Sequence, residues 1–260
     1  MSITHHPFAA LLVCASLTAS FAGPIGSTNL PSPVEREPDP GWRTAHPTLP
    51  TTAYERAALK LLVREANSVA QELNLAEPSP ITEKDMVGRF IGSPALTRAD
   101  GAIGNITTRH FRYYVSVDFK FSYLESAQWR GDLRPWIEHY SWPLSQMDTN
   151  AAYEQAKRWL AAIQVDVEAL DKDCRLHVQP VTPKSMEKEG KFVPVYFVHW
   201  TEGDEGHSSA ASVMFCAATK SIIQLRVERG RYILRKPLPF AELGALAPSQ
   251  AGGPTNSAAH

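Results

Sequence analysis

Twice along this chain the same succession is written: a capped amphipathic helix, then short runs of aromatic and β-branched residues. The first helix pattern opens at Thr52-Ala-Tyr-Glu55. A threonine hydroxyl and a glutamate carboxylate at this spacing can each satisfy a free backbone amide at a helix start. Leu59, Leu62, Ala66, Val69 and Leu73 then recur at helical spacing, and the helix should stop before Pro78. Asp85–Ile91 reads as a strand. Arg109–Val117 and Lys120–Ser126 read as a hairpin about Asp118-Phe119.

The second succession starts at Asp148 or Thr149, either of which caps a helix with the apolar face Ala152, Ala156, Trp159, Leu160 and Ile163. A short helical turn, Val167–Leu170, follows. Strands are expected at Leu176–Val181, Val193–Trp200, Ser209–Ala217 and Ile222–Arg229, with Tyr232–Arg235 extending the last. Ala53-Tyr-Glu-Arg-Ala57 matches Ala152-Tyr-Glu-Gln-Ala156 at an offset of 99, and Lys120 and Lys220 mark hairpin turns at an offset of 100. The expected fold is α+β, two tandem helix-plus-antiparallel-sheet units produced by internal duplication. A single α+β domain with two unrelated helices is the alternative.

The flanks differ in kind. Residues 1–22 contain no Asp, Glu, Lys or Arg and carry a short apolar run, Phe8–Ala15. That run is too short to cross a bilayer. Ser20-Phe21-Ala22 offers small residues at a cleavage site, so residues 1–22 read as a secretory signal peptide. Residues 23–50, with seven prolines from Pro24 to Pro50, read as an extended tether. The first unit spans 51–127, an aromatic-rich connector 128–148, the second unit 149–243 and a disordered tail 244–260. The export signal places the protein in the periplasm, at the cell surface or outside the cell. A formal charge of −1 gives no pull toward nucleic acid, and no later stretch is apolar enough to span a membrane.

The hairpin Tyr113-Tyr-Val-Ser-Val-Asp-Phe-Lys-Phe-Ser-Tyr123, set after a helix and a strand, resembles the PepSY and cystatin-like class of small exported bacterial modules. Val195-Tyr-Phe-Val-His-Trp200 and Ser212-Val-Met-Phe-Cys-Ala-Ala-Thr-Lys-Ser-Ile-Ile223 repeat the look. The resemblance implies a helix wrapped by a curved sheet and a non-catalytic binding or inhibitory role. It transfers no catalytic residue.

Candidate sites are few. His199-Trp-Thr-Glu-Gly-Asp204-Glu-Gly-His207 places His199, Asp204 and His207 close enough in sequence to ligate a divalent metal; a solvated loop is the plainer meaning. Trp129, Trp136, Tyr140 and Trp142 in the connector either bind a partner or pack the two units together. Arg226, Arg229 and Arg231 either meet an acidic polymer or form a charged outer face, with Ile223, Leu225 and Val227 facing inward. Cys174 and Cys216 are a disulfide or two buried thiols. Glu125 and Glu138 are the carboxylates nearest to a hydrolase pair. No nucleophile elbow, metalloprotease helix or phosphate loop is present, and no cofactor is called for. The expected function is exported, non-catalytic binding of a protein, peptide or envelope polymer. The alternative is an extracytoplasmic hydrolase, metal-dependent or not, at the His199–His207 loop.

Overall fold

A computed structural model describes residues 52–92, 102–127, 129, 147–182, 184–203, 208–240 and 242–243. The segments read from the sequence as signal peptide, tether and tail, and nearly all of the connector, lie outside the described residues, as do Trp136, Glu138, Tyr140, Trp142, Asp204 and His207.

Helix α1 (Ala53–Glu72) begins as its first residues dictate. Thr52 Oγ1 accepts the Glu55 amide, and the Glu55 carboxylate accepts the Thr52 amide, each at 3.0 Å. Its buried face is Tyr54, Ala58, Leu59, Leu62, Ala66, Val69 and Ala70. The helix ends well before Pro78, where Asn74 turns left-handed at φ 49°. Strands β1 (Met86–Ile91), β2 (Ala102–Thr108), β3 (Phe111–Ser116) and β4 (Phe121–Ser126) follow. Then come α2 (Thr149–Ala162), α3 (Val167–Asp173), β5 (Arg175–Pro180) and a short α4 (Lys184–Lys188). Strands β6 (Val195–Glu202), β7 (Ser208–Cys216) and β8 (Ser221–Val227) complete the set, followed by a 3-10 turn at Gly230–Tyr232.

The architecture is α+β, but the strands form one antiparallel sheet of eight and not two separate sheets. Their order is β1-β2-β3-β4-β8-β7-β6-β5. The seam is the β4–β8 pairing, centred on Leu124 opposite Leu225. Both leucines are fully buried. Each such side chain contributes about 1.5–3 kcal/mol by leaving water.

Both long helices pack on the same face. Helix α1 lies on β1 and β2, and α2 on β5 and β6. The main core between them and the sheet includes Leu62, Ile106, Leu160, Trp200, Phe215 and Phe240. The chain after β8 covers this face as well. It was expected to prolong β8 through Tyr232–Arg235; instead it turns away. Ile233 bridges to Val165, the Leu238 amide donates to Phe119 O at 2.7 Å, and Phe240 stacks on Phe119. Arg235, 7% exposed, donates from Nε to Glu65 at 2.8 Å, from Nη2 to Ser68 at 3.1 Å and from Nη1 to Glu72. A guanidinium so enclosed needs these partners, because an unpaired buried charge is costly. They strap the segment to α1.

Three readings of the sequence change here. Strand β2 was not foreseen, because Gly104, Asn105, Thr107 and Thr108 lack the aromatic and branched apolar signal. The matching pentamers occupy different places on their helices. Tyr54 is buried and donates to Gly92 O at 2.9 Å, whereas Tyr153 is half-buried and donates to Asp171. Finally, β8 does not alternate as assumed. A bulge pairs Met214 with Gln224 and Phe215 with Ile222, so Ile222 enters the main core and Ile223 faces the other side.

Candidate functional site

Register builds a second layer of side chains on the face away from the long helices, in which Asn105, Thr107, Ser212 and Met214 are buried and Arg226 and His177 are exposed. Directly paired residues form a row through all eight strands: Phe90, Asn105, Tyr114, Tyr123, Arg226, Ser212, His199 and His177. A parallel row runs Gly88, Thr107, Arg112, Glu125, Gln224, Met214, Phe197 and Gln179. Between them Ile106, Tyr113, Leu124, Leu225, Val213 and Val198 point the opposite way, into the main core. Period-two alternation therefore separates a greasy face from a polar and aromatic one.

The centre of this face is a hydrogen-bonded cluster across the β4–β8 seam. Tyr123 Oη donates to Glu125 Oε1 at 2.8 Å and accepts from Gln224 Nε2 at 2.7 Å. Arg112 Nη1 donates to Tyr114 Oη at 2.9 Å and lies 3.6 Å from Glu125 Oε2. The Tyr114 and Tyr123 rings are 4.7 Å apart. Arg226 sits 5.8 Å from the Tyr123 ring centre and pairs with Glu228 at 3.3 Å, yet its side chain stays 49% exposed. Burial raises the Glu125 carboxyl above its ordinary range, opposed by the Tyr123 hydrogen bond and the Arg112 charge. Burial, then the Glu125 charge, raises the Tyr123 hydroxyl, so it remains a donor. The result is a pair of tyrosine rings tilted by 39° whose hydroxyls are internally held, with a cation beside the Tyr123 ring. Such a surface can stack on planar or ring-shaped groups while the guanidinium binds an oxygen.

Toward the β5 edge, His177 and His199 are direct cross-strand partners, their ring centres 6.1 Å apart. Burial, then His177, lowers His199 to about 4. Burial, then Arg175, lowers His177. His177 Nε2 lies 3.2 Å from Thr201 Oγ1.

The residues singled out from the sequence are scattered. Trp129 packs on a small apolar cluster of this face, Val193, Val195, Met214, Cys216 and Ile223. Arg229 and Arg231 do not line up with Arg226 as a basic strip. Both pair with Glu202, at 3.2 and 2.8 Å, and Tyr232 Oη also donates to that carboxylate. Cys174 and Cys216 are free thiols, not a disulfide. Cys174 packs on the main core beside Tyr232 Oη, at 3.6 Å, and Cys216 on the other face. Among the described residues no three histidine, cysteine or acidic side chains gather for a metal. His199 thus meets His177, a partner the sequence did not offer, because the long β5–β6 connection hides their register. Gln224 was missed because only the β4–β8 pairing brings it to Tyr123 and Glu125, and Arg112, Tyr114 and Tyr123 because they lie in a hairpin read as structural.

A second buried carboxylate lies on the helix side. Glu77 Oε1 accepts from Thr108 Oγ1 at 2.5 Å and Tyr113 Oη at 3.0 Å, while the buried Oε2 has no hydrogen-bond partner. Burial raises this group to about 7, against the lowering effect of both hydrogen bonds.

No family model matches this chain, and no curated protein or solved structure matches it. No described helix is long and apolar enough to cross a membrane.

Proposed function

We propose that this chain is an exported binding protein that recognises a protein, peptide or envelope polymer on the sheet face away from its long helices. One observation carries the reading. Both long helices and the strap after β8 gather on one face, while the other holds a row of paired side chains including Tyr114, Tyr123, Arg226, Ser212, His199 and His177. Aromatic rings with polar edges and a half-exposed arginine are residue types that carry binding energy in interfaces. The internal hydrogen bonds of Tyr123, Glu125 and Gln224 support the same reading, since side chains already ordered lose less freedom on binding.

We also infer that the two halves arose by duplication of a PepSY-like or cystatin-like unit. The sheet order mirrors itself about the β4–β8 seam. Each last hairpin contains a bulge at a corresponding place, leaving Ser122 and Ile223 without a direct partner across it. Each turn holds one left-handed residue, Phe119 and Lys220, at the offset of 101 that also relates Leu124 to Leu225. The helices superpose in burial at an offset of 90, with Leu62, Ala66, Ala70 and Leu73 matching Ala152, Ala156, Leu160 and Ile163.

The test is an NMR titration of the labelled full chain with soluble envelope glycan fragments and with extended peptides. Shifts should concentrate on Tyr114, Tyr123, Arg226 and His199. Tyr123→Ala or Arg226→Glu should weaken binding by roughly tenfold, from lost stacking and cation–π contact. Shifts confined to the helix side, or unchanged affinity in both variants, would overturn the assignment. Amino-terminal sequencing of secreted protein tests the export reading, with Gly23 expected first.

A further inference from the structure

The outer end of the polar row carries two imidazoles where the sequence offered only one. We propose that His177 and His199 form a cross-strand site for a divalent transition-metal ion, with copper(II) preferred. The site shares a face with the recognition surface but does not depend on it.

Geometry is the first support. The two histidines are directly paired on β5 and β6, so the sheet backbone fixes the separation of their attachment points. With metal–nitrogen bonds of about 2.0–2.1 Å, a shared ion lies about 3 Å from each ring centre, and two chelating rings stand up to about 6 Å apart. The observed ring separation is 6.1 Å with a tilt of 38°, the wide end of that range. A bent chelate requires the two rings to rotate toward each other.

The surroundings favour ligation over simple packing. The Thr201 hydroxyl at 3.2 Å from His177 Nε2 can hold that ring in one tautomer, the service that outer hydrogen bonds give metal-bound imidazoles. Phe197, with its ring 5.2 Å from that of His199, limits rotation on the inner side. His177 itself is exposed on an edge strand, so an ion and its remaining waters can enter.

Donor chemistry selects the ion. Two nitrogen donors without a described carboxylate or thiolate suit copper, nickel and zinc, and the usual affinity order puts copper(II) first. Calcium and magnesium require oxygen ligands. Arg175, which is paired with Thr201 and shares the face, repels a cation and keeps the affinity moderate.

The experiment uses the full chain without an affinity tag, titrated with copper(II), nickel(II) and zinc(II) chlorides by calorimetry and electron paramagnetic resonance. One copper(II) per chain with nitrogen hyperfine structure is expected. Loss of an outer-shell partner alone costs about 10–100-fold, so His177→Ala and His199→Gln should each weaken binding by at least about tenfold. Replacing His5 and His6 should leave this binding intact. A reading that needs no variant is paramagnetic broadening, which should strike His177, His199 and Thr201 first. Absence of copper binding, broadening centred elsewhere, or equal affinity in folded His177→Ala protein would overturn the proposal.

Discussion

The Glu77 carboxyl makes stability depend on pH in a direction opposite to that of most paired carboxylates. Its ordinary value of 4.5 is raised to about 7 by burial, which outweighs the hydrogen bonds from Thr108 and Tyr113. The folded state therefore holds this proton more tightly than the unfolded chain. The associated stability is fully present below about pH 4.5 and is lost as pH rises through about 7. At about 1.4 kcal/mol per pH unit, the loss amounts to about 3 kcal/mol by pH 8. Glu77→Gln removes the titration. It also places an amide N–H where Oε2 now lies unpartnered, at a pH-independent cost of about 1–3 kcal/mol. Urea unfolding of both proteins between pH 5 and 8 isolates the effect. Asp85, whose exposed carboxyl is lowered by its Thr82 hydrogen bonds, completes its titration below this window. The variations from Glu125 and His199 are common to both proteins and cancel in the difference. Between pH 5 and 8 the variant should gain on the wild type by about 2.5 kcal/mol, the rest of the effect lying below pH 5. Parallel stability curves would refute the reasoning.

Two further substitutions test what holds the sheet and the strap. Leu124→Ala at the fully buried seam should cost about 3–5 kcal/mol in urea unfolding, the upper part of the range for buried leucines, because the buried Tyr113 and Leu225 paired with it on either side leave little room for collapse. Arg235→Met should cost about 2–3 kcal/mol; Glu72 retains 24% exposure and rehydrates, which keeps the loss below that of a fully buried pair. A loss under about 0.5 kcal/mol, the scale of a neutral surface change, would show that the strap is held by its apolar contacts alone.

The difference between legible and hidden features is one of range. Thr52 and Glu55 cap α1 through contacts within a single turn, and the face from Leu59 to Leu73 repeats at helical spacing. Those signals are local, so they can be read along the chain. The hairpin from Phe111 to Ser126 is legible for the same reason, since its aromatic and branched residues lie beside its turn. Strand β2 escaped because its outward residues, Asn105 and Thr107, are polar although 5% and 3% exposed. Only their place in the polar row explains them.

The chain order of residues was enough to set its long helices, most strands and the inward side of most of them, though not of β8, where a bulge turns Ile223 to the other face. Alternation tells which residues of one strand share a face. It says nothing about which strand lies alongside. Tertiary structure alone joined β4 to β8, and thereby brought Tyr123 to Arg226 and Glu125 to Gln224 across about a hundred residues of chain. It also set His177 against His199 and gave Arg229 and Arg231 to Glu202. The polar, aromatic face and the histidine pair are products of strand neighbourhood, a long-range choice settled by burying Leu124 and Leu225 together in one core.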